Sequence, residues 1–265
     1  MSLNTKINIC VFLIFILLFL ISIVTHFDNK NKNISFLLNN IFLVRERDIN
    51  NLQKIINNTT AEGVIVYDVK NNKILGQKNI DKSYSIASLT KIITGYLAYE
   101  KDRTLLNDIR YMMSTSDNMA AEKISEVFSS STIERVNYIN NRTKKYNLYF
   151  RNVSGLDIIL DRGRLSGGEG KPEDVINFIR DYYNQYPEIF DQTLIQENNT
   201  NIIVKDLDFL TGSKTGFTNL SGGNLFVSIQ KGLGRDIFIL VLNSTEKNRF
   251  VDVQNIANFL LQSSI

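Results

Sequence analysis

Ser88 and Lys91 stand three positions apart, a spacing that on a helix brings both side chains onto one face and within reach of each other. A serine hydroxyl is a weak nucleophile until a base takes its proton. A lysine serves as that base when lost solvation and a nearby cation lower its pKa. In the first turn of a helix, Ser88 would also meet free N–H groups and a dipole that favour developing negative charge. A second group, Ser116-Asp117-Asn118, has its two key side chains at i and i+2, which do not share a helix face. It therefore belongs in a loop or at a helix start, where Ser116 can relay a proton and Asn118 can hydrogen-bond a substrate amide. The third group is Lys214-Thr215-Gly216, within the strand-like run Gly212 to Thr218. Lys214 supplies positive charge and is expected to help depress the pKa of the neighbouring lysine. Thr215 offers a hydroxyl to a carboxylate, and Gly216 lets a peptide approach the strand backbone. The N–H of Phe217, with that of Ser88, could form an oxyanion hole.

Each group also has a plain structural reading: a capped helix with a surface lysine, a helix N-cap, or a turn with a glycine. Their joint presence in this order favours catalysis, and elimination supports it. The only histidine, His26, and the only cysteine, Cys10, both lie in or beside an apolar N-terminal segment. Ser-His-Asp, Cys-His and multi-histidine metal mechanisms are thereby excluded, as are an intrachain disulfide and a cysteine zinc site. Lysine is the natural base left for Ser88.

That apolar segment runs from Ile7 to Val24 without a charge, long enough to span a hydrocarbon core. Thr25-His26-Phe27-Asp28 follows it and makes a poor cleavage site for a signal peptide. Residues 1–24 are expected to be an uncleaved membrane anchor, 25–34 a polar juxtamembrane linker, and 35–265 one catalytic domain. A net charge of +3, with no basic block interleaved with aromatics, argues against nucleic-acid binding.

The elements that must position these residues follow from periodicity. One or two helices are expected between Ser35 and Asn57. Val64–Val69 and Lys73–Gln77 read as a hairpin around Asn71-Asn72. Helices are expected from about Ser88 to Glu100, Asn118 to Phe128 and, after Pro172, Glu173 to Tyr183. Strands near Ser213–Phe217, Asn224–Gln230 and Asp236–Leu242 and a helix near Phe250–Leu261 close the chain. The sum is an α+β fold: a five-stranded antiparallel sheet built from both ends of the domain, with a helical region over about 92–200 inserted between them and terminal helices on one face.

With these residues in place, the chain resembles the penicillin-recognising serine hydrolases, a β-lactamase-like group, and among them the low-molecular-weight D-alanyl-D-alanine carboxypeptidases. The resemblance covers about residues 60–262. It rests on Ser85 to Lys91, Phe150-Arg151-Asn152-Val153-Ser154-Gly155-Leu156-Asp157, Tyr186-Pro187-Glu188-Ile189, and Lys214 to Thr218 with Gly222-Gly223 beyond. It implies acylation of Ser88 by a peptidoglycan stem peptide ending in D-Ala-D-Ala, loss of the terminal D-alanine, and hydrolysis of the acyl-enzyme by water. Lys91 would be the base and Ser116 the relay, Lys214 and Thr215 would hold the carboxylate, and β-lactams would be covalent inhibitors. No metal or cofactor is implied, and the catalytic domain would face the cell wall, outside the cytoplasm.

Two departures stand out. Ser116 follows Lys91 by only 25 positions, short for the family, so the helical region is trimmed. No sign of the family's C-terminal β-rich domain and amphipathic anchor appears. Two alternatives remain at this point. One is a class A-like β-lactamase using Glu173 to drive deacylation, although a first-turn glutamate is also explained by the helix dipole. The other is a non-catalytic wall-binding or β-lactam-sensing domain.

Overall fold

The computed structural model describes residues 43–190, 198–202 and 209–265. The expected anchor and linker lie outside the described residues. Among the described residues no helix is long and apolar enough to cross a membrane. The chain divides into residues 1–48 with Ser264 and a larger unit of residues 49–263 with Ile265; all that follows concerns the larger unit.

It opens with helix α1, of which residues 49–57 belong to this unit. Strands β1 (Gly63–Asp68) and β2 (Lys73–Lys78) come next, then the short β3 (Tyr84–Ser85) and a 3₁₀ turn, Ala87–Leu89. Helices α2 (Thr90–Lys101), α3 (Leu106–Thr115), α4 (Asn118–Ser125) and α5 (Thr132–Thr143) follow. Four short strands come next: β4 (Tyr149–Phe150), β5 (Ile158–Leu160), β6 (Gly163–Leu165) and β7 (Gly168–Gly170). Helix α6 (Pro172–Tyr183), the long strands β8 (Leu210–Thr218), β9 (Gly222–Gln230) and β10 (Asp236–Ser244), and helix α7 (Asn248–Gln262) complete it.

The five long strands form one antiparallel sheet in the order β2-β1-β10-β9-β8. β10 returns from the C-terminal part of the chain to pair with β1, as expected for a sheet assembled from both ends. All six residues of β1 are buried, because alternate side chains enter different cores. Val64 and Val66 join Leu52, Ile56, Val241, Val253 and Ile256 beneath α1 and α7. Ile65 and Tyr67 join Ile93, Ile176, Phe226 and Phe238 beneath α2 and α6. The terminal helices thus cover one face and the inserted helices the other.

The Asn71-Asn72 turn forms as expected, with Asp68 Oδ1 accepting from Asn71 N at 3.0 Å and Asn72 at a left-handed φ of 50°. Pro172 occupies the first turn of α6 with Glu173 and Asp174, where carboxylates suit the dipole. The short span between Lys91 and Ser116 holds the rest of α2, a 3₁₀ turn capped by Asp102 and the ten-residue α3. Helices α3 and α5, the three-stranded sheet β3-β7-β4 and the β5–β6 hairpin went beyond the expected elements.

Candidate active site

Ser88 sits in the 3₁₀ turn that leads into α2, slightly ahead of the α-helix proper. The turn is tightly held. Ala87 has a left-handed φ of 47°, uncommon for a residue with a β-carbon, and two glycines wedge it from opposite chain segments. A β-carbon on Gly155 would lie 1.9 Å from the Ala87 carbonyl oxygen. One on Gly216 would lie 3.0 Å from the Ile86 oxygen and 3.2 Å from the Ser88 nitrogen. The glycine of β8 therefore lets the edge strand run against the backbone of the Ser88 turn.

At the second position of α2, Lys91 is fully buried. Its Nζ lies 2.9 Å from Ser88 Oγ, 2.7 Å from Asn118 Oδ1 and 2.9 Å from the Ser154 carbonyl oxygen. Burial lowers its pKa to about 7, while the charges of Asp117 and Glu122 pull the other way. A neutral amine has two N–H donors and one lone pair. With Asn118 and Ser154 accepting the two hydrogens, the lone pair is left for the Ser88 hydroxyl.

Ser116, Asp117 and Asn118 occupy the junction of α3 and α4. Ser116 ends α3 at a left-handed φ of 61°. Asp117 caps α4, accepting from Met119 N at 2.7 Å and Ala120 N at 3.0 Å. Both sequence readings of this motif therefore hold at once: the aspartate caps, and the flanking side chains turn into the cluster. Asn118 spends its oxygen on Lys91, which leaves its amide nitrogen for a substrate carbonyl.

Lys214, on β8, is also buried and donates to Ser116 Oγ at 2.8 Å and to the Thr215 carbonyl at 2.9 Å. Burial lowers its pKa well below that of a solvated lysine, reinforced by the positive charges of Lys91 and Arg249. Desolvation is the leading cause at Lys91, and the repulsion between the two amines adds to desolvation at the more deeply enclosed Lys214. The two amines favour one shared positive charge over two.

β8 is the sheet's edge. The Thr215 carbonyl faces the cleft, where it accepts from Lys214. The next carbonyl, of Gly216, accepts from Arg249 Nη1 at 2.6 Å. Alternation along a strand then puts the Phe217 N–H on the cleft side with Thr215, where an oxyanion donor is needed.

Sequence reasoning from residue types passed over the Ser154 carbonyl, since a backbone acceptor carries no residue signature. Asn152 builds it: its Oδ1 accepts from Ser154 N at 3.2 Å and Gly155 N at 2.7 Å, and its Nδ2 donates to the Leu156 carbonyl at 2.7 Å. Asp157, next along, receives Thr218 Oγ1 at 2.9 Å and Leu220 N at 3.3 Å, fastening this loop to the end of β8. Glu173 is exposed on α6 and takes no part in the hydrogen bonds around Ser88. Among the described residues no group of histidine, cysteine or carboxylate side chains could hold a metal ion.

The family model for D-alanyl-D-alanine carboxypeptidases matches residues 50–106, the stretch that contains Ser88 and Lys91. No curated protein matches the chain in sequence. Solved structures do match in fold. The ampicillin-bound penicillin-binding protein D2 from Listeria monocytogenes is 22% identical, with a TM-score of 0.67 over 76% of this chain and 98% of that one. A D-alanyl-D-alanine carboxypeptidase from Mycobacterium tuberculosis is 16% identical, with a TM-score of 0.65 over 78% and 95% of the two chains. The DacD carboxypeptidase from Francisella tularensis is 17% identical, with a TM-score of 0.66 over 76% and 70%. The chain thus has the fold of the penicillin-binding proteins and D-alanyl-D-alanine carboxypeptidases, and the segment carrying Ser88 and Lys91 is similar in sequence to that carboxypeptidase family.

Proposed function

We propose that the chain is a serine-type D-Ala-D-Ala carboxypeptidase that trims peptidoglycan stem peptides through an acyl-enzyme on Ser88. The observation that carries this reading is the setting of Lys91: buried, held by Asn118 and Ser154, and 2.9 Å from Ser88 Oγ. With a pKa near 7, its amine takes the Ser88 proton as Oγ attacks the carbonyl of the penultimate D-alanine. The N–H groups of Ser88 and Phe217 receive the oxyanion. Ser116, bonded to Lys214, passes a proton to the departing D-alanine nitrogen, while Thr215 and Lys214 hold the terminal carboxylate. Asn118 Nδ2 and the open edge of β8 align the peptide, and water then cleaves the ester. Penicillins and related β-lactams, which present an amide and a carboxylate in a similar arrangement, would acylate Ser88 covalently. The apolar run from Ile7 to Val24 would anchor the catalytic unit to the bacterial cell membrane on its cell-wall side.

The β-lactamase alternative lacks a comparable observation, because Glu173 lies on the exposed side of α6. A non-catalytic binding role would leave the buried, mutually repelling lysines without a use. The test is labelling of the purified full-length chain with a fluorescent penicillin, paired with an assay for D-alanine released from a D-Ala-D-Ala peptide. Covalent label lost in Ser88→Ala, with D-alanine release by the wild type, is expected. Absence of label on the wild type would overturn both enzymatic readings, and rapid loss of label through Glu173 would favour the β-lactamase.

A further inference from the structure

Thr200 lies outside all three motifs, yet it touches Thr215 of the third and the end of the helix that leads into the second. Its backbone N–H donates to the Ser114 carbonyl at 3.0 Å, one of the C-terminal carbonyls of α3 that the helix itself leaves unpaired. Its hydroxyl lies 3.2 Å from the same carbonyl and 2.6 Å from the Thr215 hydroxyl. Ser114 sits two residues before Ser116, and Thr215 follows Lys214. Apart from the direct bond from Lys214 to Ser116, Thr200 is thus a second tie between the end of α3 and the edge strand.

Hydrogen bookkeeping shows what this tie can do. Each hydroxyl has one hydrogen. In the free site, Thr215 can donate to Thr200 and Thr200 to Ser114. A substrate carboxylate claims the Thr215 hydrogen, which leaves the Thr215 oxygen as an acceptor. Thr200 can then swing its own hydrogen from Ser114 to Thr215, and Ser114 keeps the Thr200 N–H. No buried acceptor is abandoned in either state. A hydroxyl that accepts one hydrogen bond also donates a second more strongly.

We propose that Thr200 is a positioning residue that supports carboxylate recognition by Thr215 through this exchange of donors. The inference rests on the acyl-enzyme reading of Ser88, and its test separates the two. In the full-length chain, the second-order rate of Ser88 acylation by benzylpenicillin should fall about fivefold in Thr200→Val, the loss of the hydrogen bond between the Thr200 and Thr215 hydroxyls, and recover in Thr200→Ser. The methyl ester of the same penicillin, which lacks the carboxylate, should acylate wild type and Thr200→Val at equal rates. Thr200→Val combined with Thr215→Val should be no slower than Thr215→Val alone, because the two hydroxyls act as one unit.

Wild-type speed in Thr200→Val, equal slowing with acid and ester, or independent effects in the double variant would each overturn the proposal. Failure of both Thr200→Val and Thr200→Ala to unfold cooperatively would assign Thr200 to folding and overturn it as well. A wild type that takes up no penicillin would instead overturn the functional reading itself.

Discussion

Gly155 leaves no room for a β-carbon against Ala87: an added one would lie 1.9 Å from the Ala87 carbonyl oxygen and 2.4 Å from its carbonyl carbon. Gly155 also has a φ of +82°, and its chain neighbour Ser154 supplies the carbonyl that receives Lys91. Gly155→Ala is therefore expected to do two things at once. It should destabilise the fold by about 2–4 kcal/mol through clash and backbone strain. It should also slow acylation of Ser88, because the turn holding the nucleophile must move. Thermal unfolding and penicillin labelling of the same variant check both; an unchanged labelling rate would dissociate this contact from the site.

Acylation should follow the titration of Lys91. The base must be neutral in the free enzyme, and burial has brought its pKa down to about 7. The second-order acylation rate is expected to rise with pH and level off above about 8. A limb centred near the ordinary lysine value, beyond pH 10, would contradict the buried-amine assignment.

The same amine should lower stability. A group whose folded pKa is depressed binds fewer protons in the native than in the unfolded state, so stability rises with pH between the two values. For Lys91 that window runs from about 7 up to the ordinary lysine value of 10.5. The cost is complete below the window and gone above it. Lys91→Met should accordingly be inactive yet raise Tm by about 5 °C or more at pH 6, with a smaller gain near pH 10. Unfolding curves at the two pH values decide it, and a Lys91→Met chain less stable than wild type at pH 6 would count against it.

Asp157 fastens the Ser154 loop to β8 through Thr218 Oγ1 and Leu220 N. Asp157→Ala frees both donors at the surface, so the stability cost should be small, within about 1 kcal/mol. The loop carrying the Lys91 acceptor loses one of its fastenings, so acylation should slow several-fold while Asp157→Asn keeps part of the rate. Equal rates for the three chains would show that Asn152 alone sets the loop.

Glu173→Gln offers a control on the chemistry. Because Glu173 is exposed on α6 and absent from the Ser88 network, the lifetime of the penicilloyl adduct should be the same in variant and wild type. A lifetime extended at least tenfold would reveal a deacylating glutamate.

Much of this arrangement was legible from residue types. Ser88, Lys91, Asn118, Ser116 and Lys214 carry side-chain chemistry at fixed spacing, and the continuous apolar runs of β1 and β10 announce strands buried on both faces. The helical insert was harder. In α3, Ile109, Met112 and Met113 are buried among Asn107, Asp108 and Arg110, an apolar stripe too short to stand out. α5 buries Arg135 and Thr143 beside Ile139, so its inward face is partly polar. β3, β4 and β7 have two or three residues each, below the length at which alternation means anything. At the site, the Ser154 carbonyl, the strained Ala87 and the pairing of Thr200 with Thr215 are consequences of tertiary contact. Asn152 and Gly155 were the only local hints, as residues suited to tight backbone turns.

The two enclosed amines, neither hydrogen-bonded to a carboxylate among the described residues, also shape what the cleft attracts. Among the described residues their hydrogen bonds go to hydroxyls, an amide oxygen and backbone carbonyls, and Asp117 and Glu122 act on Lys91 only through their field, so an arriving anion supplies a counter-charge in direct contact. Selection among ligands can then begin before any bond is broken. A peptide with a free C-terminal carboxylate relieves the repulsion, whereas one whose terminus is amidated or extended into further chain brings no charge to the same place. On the carboxypeptidase proposal, a preference for the end of a chain over its middle would follow from that contact.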